Sequence, residues 1–415
     1  MRRVGRTVVP WVVTAAVAVS ALAAAGAPAQ AATPSATVAP RAVVPVAPKT
    51  TISSTPLAFS RTDGDILAIT RVVGLAVPAI AIGGNFRHVI TPDGRWHPLR
   101  NFAILNERTG ALLYAGNANS YVRSITSYKG VTYIGGDFTR FHNVARRHAA
   151  AITASFRLLA WSPSPRQTVR AMAADATGVY LTGDFAGLWK IPLIKGRTLW
   201  TRTTVGGSGR ALLLLRGALF LGGLFEKYAG VTRHGLVRIN PRTGAAFTTF
   251  NGHLRPDTGV GVDGAYDGED VLSLAARGRT QLVVGVGGHA PAGKSSNQIY
   301  LKSAISGGSL WRQVLVGDCQ AVAVVGATDV AGYHRNTPNT TTPYPYFAAQ
   351  FNAPGLVLTT WDPKLTGNQL NADGGNNGVQ AMYADPALKT LFVAGAFTDW
   401  NGTPTHQSLV ALRWS

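Results

Sequence analysis

The sequence predicts an all-β fold: a single seven-bladed β-propeller, four antiparallel strands per blade, with the ring closed by an N-terminal strand. Three observations predict it. An apolar, β-branched run ending in glycine and an aromatic residue recurs roughly every 50 residues, and other strand-like phrases recur around it. The last copy stops one strand short, while an unmatched strand precedes the first. Composition agrees: 47 glycines, 23 prolines and only 14% charged residues in 415 suit many short strands joined by turns.

Taken in chain order, the first residues read as an export signal. Arg2, Arg3 and Arg6 form a basic start, Val8 to Ala25 an apolar stretch, and Ala29-Gln30-Ala31 a small-x-small cleavage site. Residues 1–31 are therefore expected to be a signal peptide, and the surroundings of Arg2-Arg3 fit a twin-arginine motif poorly. No later run is long and apolar enough to span a bilayer, so the mature chain is expected to carry no transmembrane segment. Residues 32–50, rich in Ala, Pro, Thr and Val, read as an extended disordered tether. The propeller is assigned to residues 51–415.

The central phrase appears as AIAIGGNF (79–86), VTYIGGDF (131–138), VYLTGDF (179–185), ALFLGGLF (218–225) and TLFVAGAF (390–397). Two copies lacking the terminal Phe, QLVVGVGGH (281–289) and TDVAGYH (328–334), complete the count. Upstream lies a first strand such as VRSITSY (122–128), VRAMAAD (169–175), ALLLLRG (211–217), VLSLAAR (271–277), QAVAVVG (320–326) or VQAMYAD (379–385). Downstream lies a third, such as NFAILN (101–106), HGLVRIN (234–240), YFAAQFN (346–352) or SLVALRW (408–414). Turns such as NERTG (106–110) and NPRTG (240–244), where glycine supplies the backbone angles of a hairpin, lead to a fourth strand. Trp161, Trp200, Trp311 and Trp361 mark several of those fourth strands. After the seventh third strand no fourth follows, and ISSTPLAFS (52–60) is the unmatched strand predicted to complete that blade and remove its open edge.

The phrases GGDF, GGLF and NPRTG carry a resemblance, together with an aromatic tail seen in Phe138 with Phe141, Phe225 with Tyr228, and Phe397 with Trp400. Over roughly residues 60–415 the chain resembles the secreted propeller-repeat proteins common in actinobacteria, the delta-sixty type repeat of largely uncharacterised function. The resemblance implies a fold and an extracellular setting and no activity.

Blade topology puts the strand two-to-three and blade-to-blade connections at one end of a propeller. The long insertions fall there: 87–100, 251–268, 289–298, 334–345 and 363–377, rich in Asn, Asp, Thr, Gly, His and Tyr. Such a face on a rigid scaffold is the expected place for binding. The polar residue after the repeat's glycines, Asn85, Asp137, Asp184, His289 and His334, is placed at the mouth of a central channel, either lining it or tying off turns. Calcium is the one cation considered, through Asp257, Asp263, Asp267, Glu269 and Asp270, which lack EF-hand spacing. No other cofactor is called for.

No G-x-S-x-G elbow and no H-E-x-x-H pair occurs. A carboxylate pair from different blades leaves no local spacing, and Asp137 with Asp184 is the first such pair to test. Cys319 is alone, which excludes an intrachain disulfide. Removing the three signal arginines from the formal charge of +20 leaves +17, which favours anionic partners. In an exported protein without Lys/Arg runs that points to cell-wall or other anionic glycans, or an extracellular protein, rather than nucleic acid. The expected function is non-catalytic recognition or scaffolding on the long-loop face, the alternative a secreted enzyme acting on a glycan or small ester.

Overall fold

A computed structural model of the chain describes residues 50–415 apart from 196, 256–267, 289–296, 316, 334–349, 353–355, 359–360, 362, 364, 367–377 and 405–406. Residues 1–49, where a signal peptide and most of a tether are expected, lie outside the described residues. The fold is all-β and antiparallel, and no helix among the described residues is long and apolar enough to cross a membrane.

Seven principal sheets follow one another along the chain. Sheet 1 is Asp65–Val72, Ala79–Asn85, Phe102–Asn106 and Leu112–Ala115, each strand paired with the next. Sheet 2 begins with Val122–Tyr128, sheet 3 with Val169–Asp175, sheet 4 with Gly209–Leu215, sheet 5 with Asp270–Arg277, sheet 6 with Ala321–Val325 and sheet 7 with Gly378–Asp385. The two copies without a terminal Phe are second strands like the others, at Gln281–Gly287 and Thr328–Gly332. Fourth strands vary more than the sequence suggests. Sheets 1, 3, 5 and 6 have four strands, but in sheets 2, 4 and 7 the fourth shrinks to a single bridge, by Leu158, Ala246 and Ile52 respectively.

Second strands are buried on both faces, which is why they read as unbroken apolar runs rather than alternating ones. Each is covered by the neighbouring sheets, so the core is divided among the sheet junctions. Among the described residues seven apolar clusters occupy these junctions, such as Ala81 and Phe102 of sheet 1 with Val122 and Ile134 of sheet 2. The last of them places Phe392, Ala394 and Ala411 of sheet 7 against Ile66, Ile80 and Ile82 of sheet 1.

The paired glycines have separate reasons. A Cβ on Gly83 would collide with Val122 of sheet 2, and the same clash with a following sheet recurs at Gly135, Gly222 and Gly332. A Cβ on Gly84 would instead strike the Asp65 carbonyl of its own sheet. One glycine admits the neighbouring sheet and the other admits the kinked first strand.

The aromatic tail is equally local. Arg140–Phe141 and Val144–Ala145 pair around His142 and Asn143, both at positive φ, as in a two-residue hairpin turn. Lys227–Tyr228 and Val231–Thr232 repeat the device around Ala229 and Gly230. Phe138, Phe141, Phe225, Tyr228, Phe397 and Trp400 are all buried.

The N-terminal segment does reach sheet 7. Ile52 bridges Trp414, Ser53 N donates to Arg413 O at 2.8 Å, and Leu57 N donates to Ala411 O at 2.8 Å. Between these points regular pairing stops, because Pro56 has no N–H to give and Ser53 ties back to Thr55. Indole N–H groups close the gap instead: Trp361 donates to Ser53 O and Trp400 to Ser54 O, at 3.2 and 3.0 Å.

Candidate functional site

A repeated irregularity builds the site. In six of the seven sheets the first strand slips register against the second at the same point, leaving one residue unpaired. The bulged residues are Leu67, Arg123, Arg170, Arg210, Leu272 and Gln380, and a bulge re-aims its side chain out of the ladder. All six, with Gln320 of sheet 6, line one cavity of about 320 Å³ to which every one of the seven sheets contributes.

Three adjacent sheets thus present arginines, and each arginine meets a carboxylate. Arg123 grips Asp137 with both nitrogens of its fork, Nε at 2.9 Å and Nη2 at 2.8 Å. Arg170 holds Asp184 in the same way, with Nη2 at 3.0 Å from Oδ2 and Nε on Oδ1. Arg210 Nε lies 2.6 Å from Asp270 Oδ2. The aspartates are fixed by the backbone too, since Asp137 N donates to Tyr121 O and Asp184 N to Thr168 O, just ahead of the bulges. Planar forks facing carboxylates give geometry as well as energy.

The carboxylates differ in electrostatics. Burial alone would raise the Asp137 pKa, but the bonds from Arg123 and the nearby charge of Arg170 bring it below its ordinary value. Burial dominates at Asp270, whose pKa rises to about 6, opposed by Arg210 and reinforced by Asp318. Asp65, Asp270 and Asp318 share a register, two residues ahead of Leu67, Leu272 and Gln320. In the arginine-bearing sheets that register is taken by Tyr121, Thr168 and Ser208, just ahead of the first strands. Cations and acids of the first strands therefore come from different sheets.

Of the residues expected at the mouth, Asp137 and Asp184 are brought to neighbouring positions with Arg170 between them in charge. Asn85 ends the second strand of sheet 1, exposed and opposite Asp65. His289 and His334 lie outside the described residues, as do Asp257, Asp263 and Asp267 of the calcium expectation. Glu269 is 2% exposed and accepts from Tyr300 Oη at 2.8 Å, Gln298 Nε2 at 3.1 Å and Arg255 N at 2.8 Å, and Asp270 faces Arg210. Both described members of that set are thus engaged by protein groups. Among the described residues no three His, Cys, Asp or Glu side chains gather as a metal site.

The arginines themselves were missed. Their signal was in plain view: V-R at 122–123, V-R at 169–170 and G-R at 209–210 occupy one register of the first strand. A second basic cluster lies outward on the same end. Arg87, His88 and Arg100, from the insertion at 87–100, share a cavity of about 500 Å³ with Gly116, Asn117 and His142. Part of that insertion is ordered as a hairpin, His88–Ile90 with Trp96–Pro98, joined to Arg61–Thr62. No family model and no curated protein among those compared with the chain matches it.

Proposed function

We propose that the seven sheets are the blades of a single closed β-propeller and that the molecule is a secreted, non-catalytic recognition or scaffold protein. Its ligand is a polar or anionic envelope component, glycan or protein, taken on the long-loop end. Support for the closed ring comes from the junction of sheet 7 with sheet 1, the N-terminal bridge to Trp414, and the cavity lined by all seven sheets. Support for export comes from the sequence of residues 1–31, and the resemblance to secreted propeller repeats points the same way.

The observation that carries recognition is the side-by-side array of Arg123 with Asp137 and Arg170 with Asp184. Each pair offers donors and acceptors in a fixed plane, which is what a ligand dense in hydroxyls requires. Asp137 is held ionised by its guanidinium partner, an arrangement suited to accepting hydrogen bonds and not to delivering a proton. The test is to incubate purified mature protein with wall polysaccharide and follow both retention and chain length. Retention with unchanged length and reducing ends is the expected result.

One observation favours the enzyme alternative. Asp270, with its pKa near 6, has the character of a proton donor at the same mouth. Turnover of a glycan or small ester that disappears in Asp137→Asn, Asp184→Asn or Asp270→Asn would overturn the recognition reading.

A further inference from the structure

We propose that the groove between sheets 1 and 2 is a subsite for the oxyanion of an acidic sugar polymer, gripped by Arg87 and Arg100. The inference deepens the recognition reading and rests on it only for the source of the ligand. It places the charged part of that ligand away from the cavity mouth.

The first argument is what the two arginines lack. Neither guanidinium has an ion-pair or hydrogen-bond partner among the described residues, and both side chains are exposed. The carboxylate closest in the bonding scheme, Asp63, is committed elsewhere. Its Oδ1 accepts the backbone N–H groups of Arg87 and His88, each at 2.8 Å, and its Oδ2 meets His88 Nδ1 at 2.7 Å. Asp63 thereby organises the strand that carries Arg87 and leaves that guanidinium uncompensated.

The second argument is rigidity. Four chain segments wall the groove, and backbone hydrogen bonds stitch them in series. Leu99 N donates to Arg87 O at 2.9 Å, Arg100 N to Gly116 O at 3.0 Å, and His142 N to Asn117 O at 2.7 Å. Ala118 N returns a bond to Arg100 O at 3.0 Å, so Arg100 is fixed from both sides. Side chains mounted on such a frame lose less freedom on binding than arginines on a loose loop.

The third argument selects the ligand class. A volume of about 500 Å³ admits one or two sugar rings, and two free forks suit a carboxylate, sulfate or phosphate. Trp96 stands beside the groove, 58% exposed, its ring 5.3 Å from that of His88, which lines the cavity. An indole face of negative potential accepts the C–H face of a sugar. The combination of a stacking surface with uncompensated guanidiniums fits a sugar that carries an oxyanion better than a bare ion or a neutral glycan.

Dextran bearing carboxymethyl, sulfate or phosphate groups, with unmodified dextran of equal length, supplies one backbone and three anions. Binding of each to the full mature chain is measured at 150 mM salt, roughly the physiological value. Wild-type protein is expected to bind at least one charged dextran well above the unmodified polymer, the tightest naming the oxyanion. The double variant Arg87→Gln with Arg100→Gln should weaken that binding by about tenfold or more. Arg216→Gln with Arg279→Gln, which removes equal charge from the strand one-to-two turns at the other end, should leave it within about twofold. Trp96→Ala should weaken the charged dextran and leave inorganic sulfate unaffected. Equal losses from both arginine pairs, no loss from the first pair, or equal binding of unmodified dextran would each overturn the proposal. So would wild-type protein that binds no charged dextran. In that case wall-polysaccharide retention, measured separately, decides whether the recognition reading survives.

Discussion

At the cavity mouth Arg123, Arg170 and Arg210 each face a carboxylate, whereas in the outer groove Arg87 and Arg100 face none among the described residues. The two regions lie at the same end of the sheets and use the same residue type. What differs is how the sequence supplies counter-charge. The mouth arginines sit on bulges beside strand ends that carry aspartates, and pairing there locks neighbouring elements together. The groove arginines sit on an insertion where Asp63 is taken up by two backbone N–H groups and His88, and Asp93 by Thr91 and Arg95 N. Paired arginine presents its donors beside fixed acceptors; unpaired arginine on a fixed frame leaves its charge uncompensated.

That contrast is open to direct attack, beginning with the most deeply compensated arginine. Arg277 joins sheets 5 and 6, with Nη1 2.6 Å from Asp329 Oδ2 and Nη2 donating to Ala327 O at 2.9 Å. Asp329 is fully buried, so Arg277→Ala is expected to cost about 3–5 kcal/mol by urea denaturation. Arg277→Met combined with Asp329→Leu should recover most of it, since no charge is then left buried.

A carboxyl without such a cation should behave in the opposite sense. Glu107, 2% exposed, meets Asp385 of sheet 7, and burial followed by that neighbour raises its pKa to about 8 while Asp385 shifts down. A folded value above the ordinary 4.5 means the stabilising form is the protonated one. Stability is therefore complete below pH 4.5 as far as this group is concerned and falls as pH rises through 8. Thermal unfolding between pH 5 and 9 should show a loss on the order of a few kcal/mol that Glu107→Gln removes.

Arg123→Ala should be milder, about 1–3 kcal/mol, because the Asp137 side chain keeps 23% of its surface in water. Asp137 has a depressed pKa, so its contribution is present above 3.8 and is lost as pH falls through the lower folded value. The variant's deficit should thus shrink in acid. Least affected should be Arg87→Gln with Arg100→Gln, within about 0.5 kcal/mol of wild type, since those side chains bond to nothing among the described residues. A large loss there would erase the distinction between the two regions.

Much of this architecture was legible in the sequence because it rests on periodic sterics. Gly83 and its counterparts recur since each neighbouring sheet needs the same clearance, and the copies at 281–287 and 328–332 carry the apolar run without the phenylalanine. Fourth strands were less legible, because an edge strand buries little and so leaves a faint apolar signature. Asp137 and Asp184 are marked by their position in the repeat, but nothing in the sequence marks which residues partner them. Arg123 is separated from Asp137 by a whole hairpin, and only the register slip turns it toward that carboxylate. The groove was harder still, since Arg87, Arg100, Asn117 and His142 come from separate segments that only the backbone bonds between them assemble.

The bridge from Ile52 to Trp414 also orders events in time. Residues near 52 leave the ribosome long before residues near 414, so sheet 7 cannot be finished until both have been made. A contact between the distant parts of a chain is slow to form and expensive in chain entropy. Until then the early segment waits unpaired and the last sheet keeps an open edge, the state in which the chain is most exposed to proteases and to edge-to-edge association.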